Sequence, residues 1–262
     1  MVLMLGMITG SYANELSSVE VAAIKEKAKN NDKQGLYDLA VLTQFGLDGV
    51  EKNQKEAIEL YKRASALGHR SANHNLGLIY YKGSGVSVDY PEAAKWFSIA
   101  AERNVEDSQR NLLNMYDRKN IPRDEKKIEA LLIDLAEKGK QQDIERLVDY
   151  YYYDLKDMAL AEKQALVLAE KGVVKYQALI ANIHIKKNEY LKAYPWLLKA
   201  ADAGDYFSKI RLFSVYYAGM GVKQNHREAL KWFKSACIQD KEKTNQILKL
   251  VLEKNEVELP KC

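Results

Sequence analysis

Residues 71–104 read SANHNLGLIYYKGSGVSVDYPEAAKWFSIAAERN. In the first part of this stretch, apolar residues recur at the spacing that places them on one face of an α-helix: Ala72, Leu76, Ile79 and Tyr80. The second part repeats this spacing with Ala93, Trp96, Phe97 and Ala100. Gly83 and Gly85, between the two parts, supply the backbone freedom that a tight turn requires. The stretch therefore predicts a helical hairpin. Because one hairpin cannot bury the apolar faces of both its helices, further hairpins must stack on it.

The pattern of the second helix occurs six times along the chain. Its first positions are Ala57, Ala93, Ile128, Ala161, Ala193 and Ala229. Successive starts are 36, 35, 33, 32 and 36 residues apart. Eleven residues after each start stands a residue suited to ending a helix: Gly68, Asn104, Gly139, Gly172, Gly204 and Asp240. With only four prolines and no alternating strand pattern, the chain is predicted to be all-α, a right-handed α-solenoid of about six helix-turn-helix repeats with a capping helix at each end.

Two segments carry the clearest form of the repeat. Residues 76–86 follow the pattern L-G-x-I-Y-Y-x-G-x-G-V, and residues 216–222 read Y-Y-A-G-M-G-V. Each precedes a second helix containing K-W-F, at residues 95–97 and 231–233. These segments resemble the Sel-1-like repeats, a relative of the tetratricopeptide repeats. The resemblance is strong at both ends of the repeat region and weak in its middle, and it implies a bacterial, exported member of the family.

The N-terminal residues 1–13, MVLMLGMITGSYA, are uncharged and mostly apolar. Ser11-Tyr12-Ala13 has the small-x-small spacing that precedes signal-peptidase cleavage, and the run is shorter than the ~20 residues of a membrane helix. No basic residue precedes the apolar run, so two interpretations stay open. The segment is a signal peptide, which places the protein in the periplasm and is the interpretation we favour, or it is a buried cap of a cytoplasmic protein.

The predicted organisation follows from these segments. Residues 1–13 are the signal peptide, 14–32 an N-terminal capping helix, 33–240 the repeat solenoid, and 241–262 a C-terminal capping helix and tail. Cys237 closes the last repeat and Cys262 ends the chain, so a helix folding back over that repeat could bring the two cysteines to disulfide distance. Because an even pair in an exported protein is more often bridged than free, a disulfide is an open alternative here.

The composition gives no sign of a catalytic or cofactor site. The 40 basic and 36 acidic residues are spread throughout the chain, whereas a nucleic-acid-binding protein usually has a clustered basic stripe. The four histidines are scattered, and phosphate-loop and nucleophile motifs are absent from the sequence. We therefore predict no cofactor, no metal, no nucleic-acid partner, no stable membrane anchor and no enzymatic activity.

The family resemblance implies that the first helix of each hairpin lines the concave side, where a partner binds. Its outward positions, three residues apart, are the predicted partner-binding residues: Asn75, Leu78, Tyr81, Asn114, Asp117, Arg146, Asp149, Tyr152, Arg211, Ser214 and Tyr217. The same pattern adds a wider set: Asp38, Val41, Gln44, Asn111, Leu179, Asn182 and Ile185. Tyrosine, arginine and asparagine are common in adaptable protein-binding surfaces.

Four consecutive tyrosines occupy residues 150–153. On an α-helix they would span about 300°, because each residue turns the helix by about 100°, so they cannot all face the core. The alignment of the repeats places Tyr150 and Tyr151 in the core and leaves Tyr152 and Tyr153 exposed as hot-spot candidates. The alternative is that the tyrosines serve as packing residues in place of phenylalanine.

The sequence thus predicts a non-enzymatic scaffold, monomeric when unbound, that binds one partner protein in its concave groove. The resemblance implies two roles: an immunity protein that neutralises a secreted toxin such as a type VI phospholipase effector, or a regulator or adaptor of an envelope signalling protein. A hydrolase on a repeat scaffold is the alternative from another class, because some cysteine-rich relatives have been linked to β-lactam binding or hydrolysis. The regular cysteine pairs of those relatives are absent here.

Overall fold

The computed structural model describes residues 16–252 and Cys262. The predicted signal peptide, residues 1–13, lies outside this part of the chain. Within the described residues there are fourteen α-helices, one π-helical turn and no strand. The chain forms two compact units that divide between Leu131 and Leu132.

The first unit contains an N-terminal helix followed by hairpins. Its helices are α1 (Ser18–Lys29), α2 (Lys33–Phe45), α3 (Gln54–Ala66), α4 (Arg70–Lys82), α5 (Tyr90–Ala101) and α6 (Glu106–Asp117), and α7 (Glu125–Glu137) crosses the boundary. Helices α2 and α3 form one hairpin and α4 and α5 the next, while α1 packs on α2. The second helix of one hairpin also contacts the first helix of the next, so the hairpins are stacked within this unit.

The second unit continues the pattern. Its helices are α8 (Gln141–Asp149), α9 (Met158–Glu170), α10 (Val174–Lys186), α11 (Tyr190–Asp202), α12 (Tyr206–Ala218), α13 (His226–Gln239) and α14 (Lys241–Leu252). Helices α8 and α9, α10 and α11, and α12 and α13 pair as hairpins, and α14 packs on α13. The predicted fold class, an all-α chain of repeated helix-turn-helix units of the solenoid type, is confirmed. We call α2, α4, α6, α8, α10 and α12 the first helices and their partners the second helices.

Small residues allow the helices to approach closely. The alanines that begin the second-helix pattern are fully buried: Ala57, Ala93, Ala161, Ala193 and Ala229. A Cβ atom added at Gly77 would lie 2.5 Å from Cδ1 of Phe97, so α4 and α5 are in contact at this glycine. Gly35 has the same role for the N-terminal helix, since a Cβ there would overlap Lys27 and the backbone of Ala28.

Five of the six predicted helix-ending residues adopt a left-handed backbone conformation. The φ angles are 85° at Gly68, 60° at Asn104, 79° at Gly139, 86° at Gly172 and 97° at Gly204. Asp240 instead has a φ of −155°. Its carboxylate accepts a 3.0 Å hydrogen bond from the backbone of Lys243, so it caps the helix that follows immediately, and an N-cap residue requires extended backbone.

The second glycine of each G-x-G loop packs on the preceding hairpin. A Cβ on Gly85 would lie 2.5 Å from Cβ of Gln54, the first residue of α3, and a Cβ on Gly221 would lie 2.6 Å from Cβ of Tyr190, the first residue of α11. These glycines therefore serve the stacking of successive hairpins as well as the turn itself.

The end of the second unit is closed by a helix and a covalent bond. Thr244 of α14 shares a 2.9 Å hydrogen bond with the hydroxyl of Tyr206, and Ile247 packs on an apolar cluster that includes Ile210. A disulfide joins Cys237 to Cys262, with the two Cα atoms 5.5 Å apart. The last residue of the chain is therefore fixed to α13.

Candidate functional site

The predicted binding residues of α4 lie partly between neighbouring helices. The Asn75 amide donates a 3.1 Å hydrogen bond to the hydroxyl of Tyr61, and Leu78 is half-buried. The ring of Tyr81 lies 5.5 Å from that of Tyr90, and its hydroxyl accepts a 3.5 Å hydrogen bond from Arg118. The three residues keep one side toward solvent, but neighbouring residues restrict their orientations.

Uncharged polar groups surround Asn75. The hydroxyl of Tyr61 donates a 2.8 Å hydrogen bond to Gln44, and the ring of Tyr37 stacks on that of His69 at 4.2 Å. Burial raises the pKa of Tyr61 and of Tyr37, and burial lowers the pKa of His69. Burial therefore favours the neutral form of all three side chains.

The wider predicted set contains one error in the first unit. Val41 was expected to point outward, but it is only 8% exposed and belongs to the same apolar cluster as Leu76 and Ile79. An aliphatic side chain gains more from burial in this cluster than from exposure. Asn114 and Asp117 of α6 are exposed.

In the second unit, lysines of α10 contact candidate residues at the end of α8 and in the turn that follows it. Nζ of Lys175 lies 3.4 Å from the carboxylate of Asp149. Lys186 donates a 2.9 Å hydrogen bond to the hydroxyl of Tyr152 and lies 5.0 Å from the centre of its ring. Two candidate residues, Asp149 and Tyr152, are thus in contact with lysines of the next first helix. Arg146 is half-buried.

The four tyrosines do not continue the α-helix. Helix α8 ends at Asp149, and residues 150–154 form a π-helical turn in which Leu155 N–H bonds the carbonyl of Tyr150 at 3.1 Å. The assumed 100° per residue was therefore wrong, because a π turn contains more residues than an α turn. The predicted division into buried and exposed tyrosines still holds for Tyr151, which is 3% exposed, and for Tyr153, which is 65% exposed. Tyr152 is half-buried.

On α12 the candidate residues differ in exposure. Arg211 is exposed, whereas Ser214 and Tyr217 are half-buried. The Ser214 hydroxyl donates a 3.3 Å hydrogen bond to the carbonyl of Ile210 within its own helix. The ring of Tyr217 lies 5.0 Å from that of His226 in an edge-to-face arrangement. Tyr217 therefore also presents one side of a ring whose orientation is restricted.

A family model described as Sel1 repeat matches residues 33–69, 70–105, 183–205 and 208–241. The chain belongs to the Sel1 repeat family. The matches fall on the first two hairpins and on the last two, and residues 106–182 lie outside them, in agreement with the predicted weakness of the central repeats.

Two curated proteins are similar in sequence to this chain. Chitin synthase regulatory factor 2 of Schizosaccharomyces pombe is 34% identical over 95 residues, which are 36% of this chain and 18% of that protein. Chitin synthase regulator SKT5 of Saccharomyces cerevisiae is 25% identical over 92% of this chain and 38% of its own length. The chain therefore spans less than half the length of either relative.

Solved structures with a similar arrangement are more distant. A protective antigen of uropathogenic Escherichia coli has 22% identity and a TM-score of 0.46, covering 90% of this chain and 52% of that one. A Sel1 repeat protein from Oxalobacter formigenes has 24% identity and a TM-score of 0.46, covering 83% and 94%. An immunity protein from Pseudomonas aeruginosa has 18% identity and a TM-score of 0.36, covering 78% and 80%. Likenesses at these TM-scores do not bear on what this Sel1 repeat protein binds.

A buried histidine distinguishes the fifth Sel1 repeat, and the sequence analysis did not single it out. Eleven residues after the N-cap of each first helix the six repeats place, in order, Thr43, Tyr80, Tyr116, Tyr151, His184 and Tyr216. The register of the repeats, with tyrosine in four of these six positions, is the signal that would have identified His184.

Both ring nitrogens of His184 face carboxylates. Nδ1 lies 2.8 Å from Glu189, and Nε2 lies 3.2 Å from Glu162 of α9. Each carboxylate also contacts a lysine, Lys192 at 3.0 Å and Lys187 at 2.9 Å. Hydrogen bonds from Lys192 and then His184 lower the pKa of Glu189, so the stability that this carboxylate contributes is lost as the pH falls toward that lowered value.

We expect His184→Ala to lower the free energy of unfolding by about 2 kcal/mol, because it removes the contacts of a buried imidazole with two carboxylates and leaves a cavity. The loss is smaller than for a fully buried ion pair, because each carboxylate keeps its lysine. Urea unfolding followed by circular dichroism measures it. Lys192→Ala, which removes a 65% exposed partner, is the control and should cost less than about 1 kcal/mol. Equal losses in the two variants would contradict a structural role for His184.

Two further findings concern the described part of the chain. No group of three or more histidine, cysteine, aspartate or glutamate side chains in residues 16–252 and Cys262 is arranged to bind a metal ion. None of the helices described here has both the length and the apolar character needed to cross a membrane.

Proposed function

We propose that this Sel1 repeat protein is a non-enzymatic scaffold that binds one partner protein on the exposed side of its first helices. The observation that carries the proposal is the local environment of three tyrosines, Tyr81 in the first unit and Tyr152 and Tyr217 in the second. Each is half-buried and is held by a neighbouring ring or cation. Because these rings are already ordered, they lose little conformational entropy on binding, and tyrosine is enriched at the energetic centres of interfaces.

The proposed role is regulation of the partner. It is supported by the names of the two curated relatives, both of which are regulators of another protein, an enzyme. The second role that the family resemblance implies, neutralisation of a secreted toxin such as a type VI phospholipase effector, uses the same surface. The immunity role includes export to the periplasm, with residues 1–13 as the signal peptide. Export is also compatible with a regulator or adaptor of an envelope protein.

The experiment is affinity capture of partners from the envelope and cytoplasmic fractions of the native cell, with bound proteins identified by mass spectrometry. Wild type is compared with a Tyr81→Ala, Tyr152→Ala, Tyr217→Ala triple variant. The matched control replaces exposed residues on second helices: Lys95→Ala, Lys163→Ala and Lys231→Ala. We expect one dominant partner that is lost from the tyrosine variant and retained by the control.

A second variant guards against misfolding of the first. Asn114→Arg and Arg211→Glu alter one exposed first-helix position in each unit and should also release the partner. A partner retained by both surface variants, or no partner in any fraction, would contradict the proposal. The identity of the partner distinguishes the roles: an enzyme or signalling protein of the same cell supports regulation, and a toxin supports immunity.

A further inference from the structure

We propose that the partner presents an acidic segment, rich in aspartate and glutamate, to the first helices α10 and α12 of the second unit. This inference rests on the proposed function and names the chemistry of the partner at that same surface. Together α10 and α12 contain four cationic residues, Lys175, Lys186, Lys209 and Arg211, and neither helix contains an aspartate or glutamate. The two helices thus carry a formal charge equal to the net +4 of the whole chain.

Most of this positive charge is not neutralised within the protein. Lys175 pairs with Asp149 at 3.4 Å, whereas the polar partner of Lys186 among the described residues is the phenol of Tyr152. Lys209 donates a 2.7 Å hydrogen bond to the side-chain amide oxygen of Gln239, which is uncharged. Arg211 is exposed and, within residues 16–252, forms no ion pair. Among the described residues, three of the four cations therefore have no carboxylate partner. Lys209, two positions from Arg211, faces α13, so Lys186 and Arg211 are the cations of the proposed site.

The contact between Lys186 and Tyr152 places a cation beside a candidate hot-spot ring. The ammonium group has three donors, and the Tyr152 hydroxyl accepts one of them at 2.9 Å. The other donors of Lys186 are available to a ligand, and the Arg211 guanidinium, with five donors in a planar fork, suits a bidentate carboxylate. A segment with carboxylates and an apolar or aromatic residue would satisfy the cations and the ring together.

A polypeptide fits this surface better than a nucleic acid. The neighbouring first helix α8 carries side chains of both signs, Glu145, Arg146 and Asp149, so it does not extend a basic stripe along which a phosphate backbone could bind. Nucleic-acid binding depends on many phosphate contacts along one basic stripe, whereas a short acidic segment requires only two or three. The charged groups on α8 therefore favour a ligand whose negative charges are few and spaced.

The test uses the full chain and measures binding by fluorescence anisotropy. The probe is a labelled twelve-residue peptide of alternating glutamate and serine with one central phenylalanine, compared with the same peptide containing glutamine for glutamate. An oligonucleotide of the same length is the third probe. We expect binding of the acidic peptide only, weakened as NaCl is raised from 50 to 200 mM.

Charge reversal locates the site. Lys186→Glu with Arg211→Glu should weaken binding of the acidic peptide by at least about tenfold. The matched control, Lys163→Glu with Lys234→Glu, makes the same change in net charge at exposed positions of the second helices α9 and α13 and should weaken it by less than about threefold. Equal binding of the glutamine peptide or the oligonucleotide, equal losses in the two variants, or no binding of the acidic peptide would each overturn the inference.

The inference and the proposed function fail in different ways. If the captured partner is lost from the tyrosine variant but retained by Lys186→Glu with Arg211→Glu, the scaffold function stands and the acidic segment is wrong. If neither variant releases it, the first-helix surface itself is wrong.

Discussion

Gly77→Leu is expected to destabilise the first unit by about 3 kcal/mol or more. Gly77 is buried in α4, and even a Cβ atom there would lie 2.5 Å from one ring carbon of Phe97 and 2.6 Å from another. The Phe97 ring is fully buried, so it cannot turn into solvent to make room. Overpacking of such a site typically costs 1–3 kcal/mol, and a branched four-carbon side chain lies at or beyond the upper end. Urea unfolding measures the loss.

Gly77→Ala tests the same contact with a single methyl group. The higher helix propensity of alanine would by itself stabilise α4 by about 1 kcal/mol, so a net loss isolates the steric term. Ser71→Ala, at an exposed position of the same helix, is the control and should stay within about 0.5 kcal/mol of wild type. Wild-type stability of Gly77→Leu would contradict the close approach of α4 and α5.

Trp232→Ala is expected to lower the free energy of unfolding by about 3–5 kcal/mol. The side chain is 7% exposed and packs in a cluster that contains Phe213, Phe233 and Leu197. Removing it deletes a large apolar surface and leaves a cavity between α12 and α13 that rigid neighbours fill only in part. The same measurement by urea unfolding applies, and a loss below about 1 kcal/mol would place the indole at the surface.

Trp96 is the internal comparison for this prediction. The sequence pattern places Trp96 and Trp232 at equivalent positions and predicts equal losses, but Trp96 is half-buried. Its indole N–H is buried and, among the described residues, has no hydrogen-bond partner. Trp96→Ala should therefore cost about half as much as Trp232→Ala. Trp96→Phe should cost less than about 1 kcal/mol, because it removes the unpaired donor.

The repeat itself was predictable because it depends on local rules. Apolar spacing of three and four residues, alanines at the helix contacts and glycines after the helices recur in register, and each is written in consecutive residues. Ala93 and Gly68 illustrate this: the first is fully buried and the second has a φ of 85°, as the pattern requires. These features follow from helix geometry and backbone sterics, which neighbouring residues decide.

The candidate surface was predictable only in outline, because a position on a helix does not reveal what the adjacent hairpin places against it. The pattern put Val41 outside, where it is buried, and put Asn75 at the surface without its hydrogen bond to Tyr61. It also treated residues 150–153 as α-helical, whereas they begin a π turn. The first two differences arise from side chains that are distant in sequence.

The sequence alone therefore determined the helical hairpin, its period and the residues that end each helix, since these depend on interactions within a few residues. Tertiary structure decided which outward residues are free to bind. It also decided that Gly85 packs against α3, that His184 lies between Glu162 and Glu189, and that Lys186 contacts Tyr152. Apart from the contact of His184 with Glu189, five residues away, these contacts join residues far apart in sequence, such as Lys186 and Tyr152, 34 positions apart, and the stacking of helices brings them together.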